Sequence, residues 1–178
     1  MGSNDNTIEF LQENMPMETP PGAKIVLGGR KFLYFGGTAY YCLQGHPDLL
    51  KTAASAMMTY GTGTGTAVGD SPVITALEKK TAQYFETKAV VTFPAGYMSS
   101  AIGISSLKDQ YDRIFIDEAT HYAGLDGIRL VDKPVTTFKH LDHDDLKEKI
   151  DANLMSGQIP LLVSDGIFPT FGTIETLK

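Results

Sequence analysis

Only one cysteine, Cys42, stands in the 178 residues. That excludes an intrachain disulfide framework and any multi-cysteine metal site. Arginine is scarce too, present only as Arg30, Arg113 and Arg129, and Lys+Arg 15 against Asp+Glu 21 gives a net charge of −6. This balance argues against a nucleic-acid partner, because such binding leans on clustered cations to neutralise phosphates. No apolar run approaches the roughly 20 residues of a membrane helix, so no membrane partner is expected. The polar opening, Met1 to Thr7, lacks a basic segment followed by an apolar one, and Asn6 stands where a myristoylation signal wants Ser or Thr. The expected location is cytoplasmic. No repeat or low-complexity tract is visible. What remains is ordinary globular composition, 42% hydrophobic and 20% charged, enough for one buried domain or part of a larger one.

Along the chain, an amphipathic stretch from Ile8 to Asn14 leads into a Pro-rich linker, Pro16 to Gly22. Lys24–Leu27 and Lys31–Phe35 flank Gly28-Gly29 and read as a β-hairpin. From Pro47 onward helix and strand alternate. Helical patterns cover Pro47 to Tyr60 and, after an N-cap at Ser71, Pro72 to Phe85; a small-residue helix covers Tyr97 to Leu107. Shorter helical signals follow at Gly124–Val131 and from the cap at Asp142 to about Met155. Apolar runs at Ala89–Phe93, Arg113–Asp117, Val135–Phe138 and Leu161–Ser164 read as strands. They do not alternate, as expected when both faces of a sheet are covered. The fold class is α/β, a mainly parallel sheet flanked by helices. Ligands of such sheets sit beyond the carboxyl ends of the strands, which singles out Pro94–Tyr97, Glu118–Tyr122 and Asp165–Phe171. Leu161–Ser164 looks like an interior strand, yet no further α/β unit follows it.

Five constellations could carry chemistry. In Pro94-Ala95-Gly96-Tyr97-Met98, the amides of Gly96, Tyr97 and Met98 at a helix start would make an anion site, with Tyr97 beside a flat ring. Alternatively Gly96 only relieves a tight turn. The loop from Tyr60 to Gly69 breaks the G-x-G-x-x-G register, follows a helix and has no P-loop lysine. It is a Gly/Thr loop or a cavity lining. His121, after Asp117-Glu118, could be a general base, a ring stacker or a plain loop residue. The acids of His140-Leu141-Asp142-His143-Asp144-Asp145 fit helix capping better than metal, and no metal is expected. Asp165 either orients a polar ligand or bonds its own loop amides. No nucleophile elbow is present, and Cys42, in an apolar-aromatic stretch, is expected to be buried.

Taken in order, the motifs resemble one family. They are Phe35 to Leu43 with His46-Pro47, Tyr60-Gly61, Leu77-Glu78, Ala95-Gly96-Tyr97, Asp117-Glu118 with His121, Phe138 with His140 and Asp142, and Val163 to Phe168 with Gly172. The set resembles the α-oxoamine synthases, among them aminooxononanoate synthase and glycine C-acetyltransferase. These are pyridoxal-phosphate (PLP) enzymes of the aspartate-aminotransferase fold. The resemblance implies an acyltransferase joining an amino acid to an acyl-CoA thioester, acting as a homodimer with PLP as cofactor. It implies cofactor contacts from Gly96 and Tyr97, a catalytic His121 stacked on the pyridine and touching substrate, and an acid near the cofactor at Asp165. Residues 1–45 would be an N-terminal arm and hairpin, and 46–178 the first part of the PLP-binding large domain. The Schiff-base lysine, its partner aspartate and the small domain would lie beyond Lys178, so the chain alone is expected to be inactive. The Gly-rich loop lacks the family's arginine, and Phe168 to Gly172 lacks its Ser and Asp. These departures leave open a non-catalytic module or an aminotransferase-like activity. A nucleotide-binding domain is a weaker alternative, given the broken glycine register.

Overall fold

The computed structural model describes residues 15–38, 40–62 and 71–176. The chain divides into two compact units, Met1–Leu77 and Glu78–Lys178.

In the first unit, β1 (Lys24–Leu27) and β2 (Arg30–Leu33) form the expected antiparallel hairpin, with Leu27 opposite Arg30. Gly28 and Gly29 both take positive φ, 53° and 72°, as a two-residue hairpin turn of the twist-compatible type requires. The Pro-rich linker is not free of structure. The Glu18 amide donates to the Val26 carbonyl at 2.9 Å, Thr19 Oγ1 accepts from the Val26 amide, and Met17 bridges to Leu27. A 3₁₀ segment, Tyr40–Gly45, precedes α1 (Pro47–Tyr60). Tyr41 and Cys42 there have positive φ, and no residue of the segment is buried. Cys42 is exposed, contrary to expectation. A tight turn with two residues in the left-handed region has no core face to offer a thiol. The 8–14 stretch lies outside the described residues, as does the Gly-rich loop beyond Thr62.

Helix α2 (Pro72–Tyr84) begins with Ser71 Oγ accepting from the Ile74 amide. The second unit then holds α3 (Met98–Ser106), β3 (Arg113–Asp117), α4 (Tyr122–Ile128), β4 (Val135–Phe138), α5 (His143–Asn153) and β5 (Pro160–Val163). The sheet order is β4-β3-β5, all parallel. Central β3 is buried on both faces. Ile114 and Ile116 pack with Ile104, Tyr111 and Ile128; Phe115 packs on the other side with Phe138 and Leu146. Strand identity there follows from flanking cover by α3 and α4 on one face and α5 on the other, which is why the sequence shows no alternation.

Two departures stand out. Ala89–Phe93 takes no regular secondary structure and has no ladder partner among the described residues, and Val91 is 77% exposed. A strand exists through its neighbour. This stretch is held instead by Glu78 Oε1, which accepts from the Thr92 amide at 3.1 Å and its hydroxyl at 3.0 Å. Conversely, a small hairpin, β6 (Ile167–Phe168) and β7 (Thr173–Ile174), follows β5. Strands of two residues are too short for a period-2 pattern to register.

Candidate functional site

The site is built where α3 meets α4. Gly127 makes that meeting possible: a Cβ there would stand 3.1 Å from the Ala101 amide nitrogen, the Ser100 carbonyl carbon and Ile104 Cδ1. Close backbone approach brings the start of α3 against the last turn of α4. Tyr97, the residue before α3, donates its hydroxyl to Asp126 Oδ2 on α4. Arg129 holds the other oxygen at 2.8 Å. The carboxylate, by accepting from the phenol, raises the Tyr97 pKa above the ordinary 10.0, with desolvation adding to it.

In the turn before α3, the Met98 amide donates to the Ala95 carbonyl and the Ser99 amide to the Gly96 carbonyl, each at 3.0 Å. The Met98 amide is thus not free, which corrects the expectation of three available donors. Gly96 and Tyr97 keep amides without an acceptor among the described residues. A Cβ at Gly96 would meet nothing within 4 Å, so the turn opens onto free space.

His121 caps α4 in an unusual way. Its ring Nδ1 accepts from the Ala123 amide at 3.1 Å. An amide can donate only to an unprotonated nitrogen, so the ring's proton sits on Nε2. This cap also starts α4 two residues before the sequence pattern suggested. The His121 backbone amide donates to Asp165 Oδ2 at 2.8 Å. The His121 ring lies 4.0 Å from that of Tyr122, tilted by 30°, and 6.5 Å from that of Tyr97, edge-on at 73°. Tyr97, His121, Tyr122 and Asp126 therefore form one cluster beyond the end of β3.

Beneath it lies Asp117, with 0% exposure. Its carboxylate accepts from the Ala119 amide at 2.7 Å, the Leu141 amide at 3.0 Å and His140 Nδ1 at 3.0 Å. His140 Nε2 reaches Thr173 Oγ1 at 3.0 Å. The neighbouring acids behave as caps: Asp142 Oδ1 accepts from the Asp145 amide and Asp145 Oδ2 from the Lys139 amide.

Of the residues singled out from sequence, Gly96, Tyr97 and His121 come together, and Asp165 joins them through the His121 backbone. Asp165 Oδ2, by taking the His121 amide, ties the end of β5 to the loop after β3. Tyr122 and Asp126 were missed, because an aromatic and an acid on a short helix give no pattern of their own. The spacing of one helical turn between Tyr122 and Asp126 was the available signal.

The same parallel sheet, covered by helices on both faces, occurs in solved serine palmitoyltransferases. A serine palmitoyltransferase from Sphingomonas wittichii superposes with a TM-score of 0.81 at 24% identity, over 91% of this chain and 41% of its own. A serine palmitoyltransferase variant from S. paucimobilis, with a bound PLP–myriocin aldimine, gives 0.79 at 20%, over 96% and 46%. The model of the aminotransferase class I and II family matches residues 31–177, and the chain belongs to that family. Within it, the 8-amino-7-oxononanoate synthase of Alkaliphilus oremlandii is 31% identical over 98% of this chain and 48% of its own length. The resemblance to the α-oxoamine synthases read from the order of motifs is borne out. The chain spans about half the length of the curated relatives it matches.

Proposed function

We propose that this chain forms the first part of the large domain of a PLP-dependent acyltransferase, which condenses an amino acid with an acyl-CoA thioester. The observation that carries the reading is the turn before α3. Two amides without acceptors, at Gly96 and Tyr97, stand at a helix start with open space at Gly96. Such a turn fits a phosphate group. The Tyr97 and His121 rings beside it fit a flat heteroaromatic ring. Bound PLP would supply an electron sink for a carbanion at the amino acid's α-carbon.

The chain's own residues do the remaining work. The Gly96 and Tyr97 amides hold the phosphate. The His121 ring, its proton on Nε2, would stand beside the cofactor's ring and donate toward substrate. Asp165, through the His121 amide, fixes where that ring stands. The covalent lysine and the acid facing the pyridine nitrogen come from sequence outside residues 1–178. The whole protein works as a cytoplasmic homodimer. Exposed Leu33, Phe35, Tyr84 and Phe85 support self-association, and no described helix is long and apolar enough to cross a membrane.

Titration of the chain with PLP and with pyridoxal, followed by absorbance and ³¹P resonance, tests the reading. PLP is expected to bind and pyridoxal to bind at least about tenfold more weakly, the loss of charge-assisted bonds to phosphate. Replacing Gly96 with Pro, which removes one donor, is expected to narrow that gap. Equal binding of the two compounds, or no binding of PLP, overturns it.

A further inference from the structure

We infer that His140, which lies outside the cluster, is a positioning residue for it: it wedges the β6–β7 hairpin against the end of β3 and so sets the two pins that fix His121. The inference rests on the reading that His121 belongs to the cofactor site.

The argument begins with Asp117. A carboxylate with no exposed surface needs saturation by donors. Two backbone amides supply part, and His140 Nδ1 supplies the rest; among the described residues no lysine or arginine pairs with it. An ionised carboxylate only accepts, so Nδ1 carries a proton. Nε2 is thereby aimed at Thr173 Oγ1 on β7. Rings from the hairpin close on the imidazole: Phe168 edge-on at 4.4 Å and Phe171 tilted at 5.4 Å. His140 thus touches β3 at one end and the hairpin at the other. A second link, His143 to Glu175 at 3.0 Å, has a 42% exposed imidazole, whereas the His140–Asp117 pair is 22% and 0% exposed. Exposed pairs contribute little, so the shielded link dominates.

Besides the Thr120 amide, which donates to the Asp117 carbonyl at 3.0 Å, two carboxylates hold the segment that presents His121. Asp117 Oδ1 takes the Ala119 amide at 2.7 Å, and Asp165 Oδ2 takes the His121 amide at 2.8 Å. The first carboxylate is the one His140 bonds. The second stands two residues before β6, at the root of the hairpin that His140 holds. Both bonds hold backbone within two residues of the His121 side chain.

The test uses amide hydrogen exchange and histidine ring resonances of the full chain, in Thr173→Val, Thr173→Ser and His140→Gln. Thr173→Val leaves both partners of the Asp117–His140 bond in place, so the variant is expected to fold. Exchange of the His121 amide is expected to quicken about tenfold, the size of one weakened hydrogen bond, with a shift of the His121 ring signals. Thr173→Ser is expected to restore wild-type exchange, since the hydroxyl returns; His140→Gln is expected to exceed the effect of Thr173→Val. Unchanged His121 exchange in Thr173→Val, or failure of Thr173→Ser to rescue, overturns the inference. A PLP titration of the same samples separates the two readings. Loss of His121 protection in a chain that never binds PLP sinks the cofactor site and leaves the coupling standing.

Discussion

At the scale of single residues, two positions carry consequences that can be measured. Gly127 faces backbone atoms at 3.1 Å, which cannot rotate away as a side chain would. Alanine there would gain about 1 kcal/mol of helix propensity and lose about as much to crowding, so it is a poor probe. Gly127→Val gains no comparable propensity and crowds more. It is expected to destabilise by about 2–3 kcal/mol in urea melts, with the m-value unchanged. Tyr97 offers a titration. Folding holds its phenol above 10.0 because the hydroxyl donates to Asp126, then through desolvation. The folded state thus binds this proton more tightly. Its contribution to stability is whole below the unfolded value and is lost as pH rises through the folded one. In Asp126→Asn the Tyr97 midpoint is expected to fall, read by tyrosinate absorbance against the parent. His121 was legible as a candidate because it follows an acid at a strand end, and the structure places it in the Tyr97 cluster. The tie between His140 and Thr173 was not, because it joins residues distant in sequence and threonine carries no motif.

At the scale of elements, the hydrogen-bonding demands of helix ends and sheet edges explain what the sequence revealed. Helices announced by a cap were placed well, as at Ser71 and Asp142, where the side-chain oxygens accept the expected amides. Apolar runs were less decisive. Arg113–Asp117, Val135–Phe138 and Pro160–Val163 became strands because each found a neighbour. Ala89–Phe93 has the same composition and none among the described residues. Among the described residues it is tethered by Glu78, whose single oxygen takes two bonds from Thr92, and by the Thr87 hydroxyl, which donates to the Ala89 carbonyl at 3.2 Å. Glu78→Ala is therefore expected to speed exchange of the Thr92 amide by about tenfold or more, as loss of bonds to a charged acceptor implies, while the β3 amides keep their protection. Equal acceleration at β3 would show instead that the carboxylate supports the unit as a whole. The β6–β7 hairpin was hidden for a different reason: its two-residue strands are held by tertiary links, which local pattern does not encode.

At the scale of the whole molecule, the division of burial is uneven. In the first unit Ile25 is the buried apolar residue among those described, whereas the second holds the two clusters around β3. The fold class was readable because uninterrupted apolar strands between helices leave few alternatives. The division of the chain into units was not, since helix α2 carries no break in composition where it falls. The proposed function makes a further demand at this scale. Borohydride reduction in the presence of PLP, followed by peptide mapping, is expected to give no single modified lysine within residues 1–178. One lysine labelled stoichiometrically would place the covalent anchor inside this chain after all.

The parallel order β4-β3-β5 also dictates a sequence of events in time. Ile114 pairs with Val135 on one side and with Leu161 on the other, so the second partner is the later to be made and closes the longer loop. Loop-closure entropy makes such distant pairing slow. In pulse-labelled refolding, amides shared by β3 and β4 are expected to gain protection before those of β5. During synthesis, too, the nascent sheet must wait for Val163 to clear the ribosome before its central strand has both neighbours.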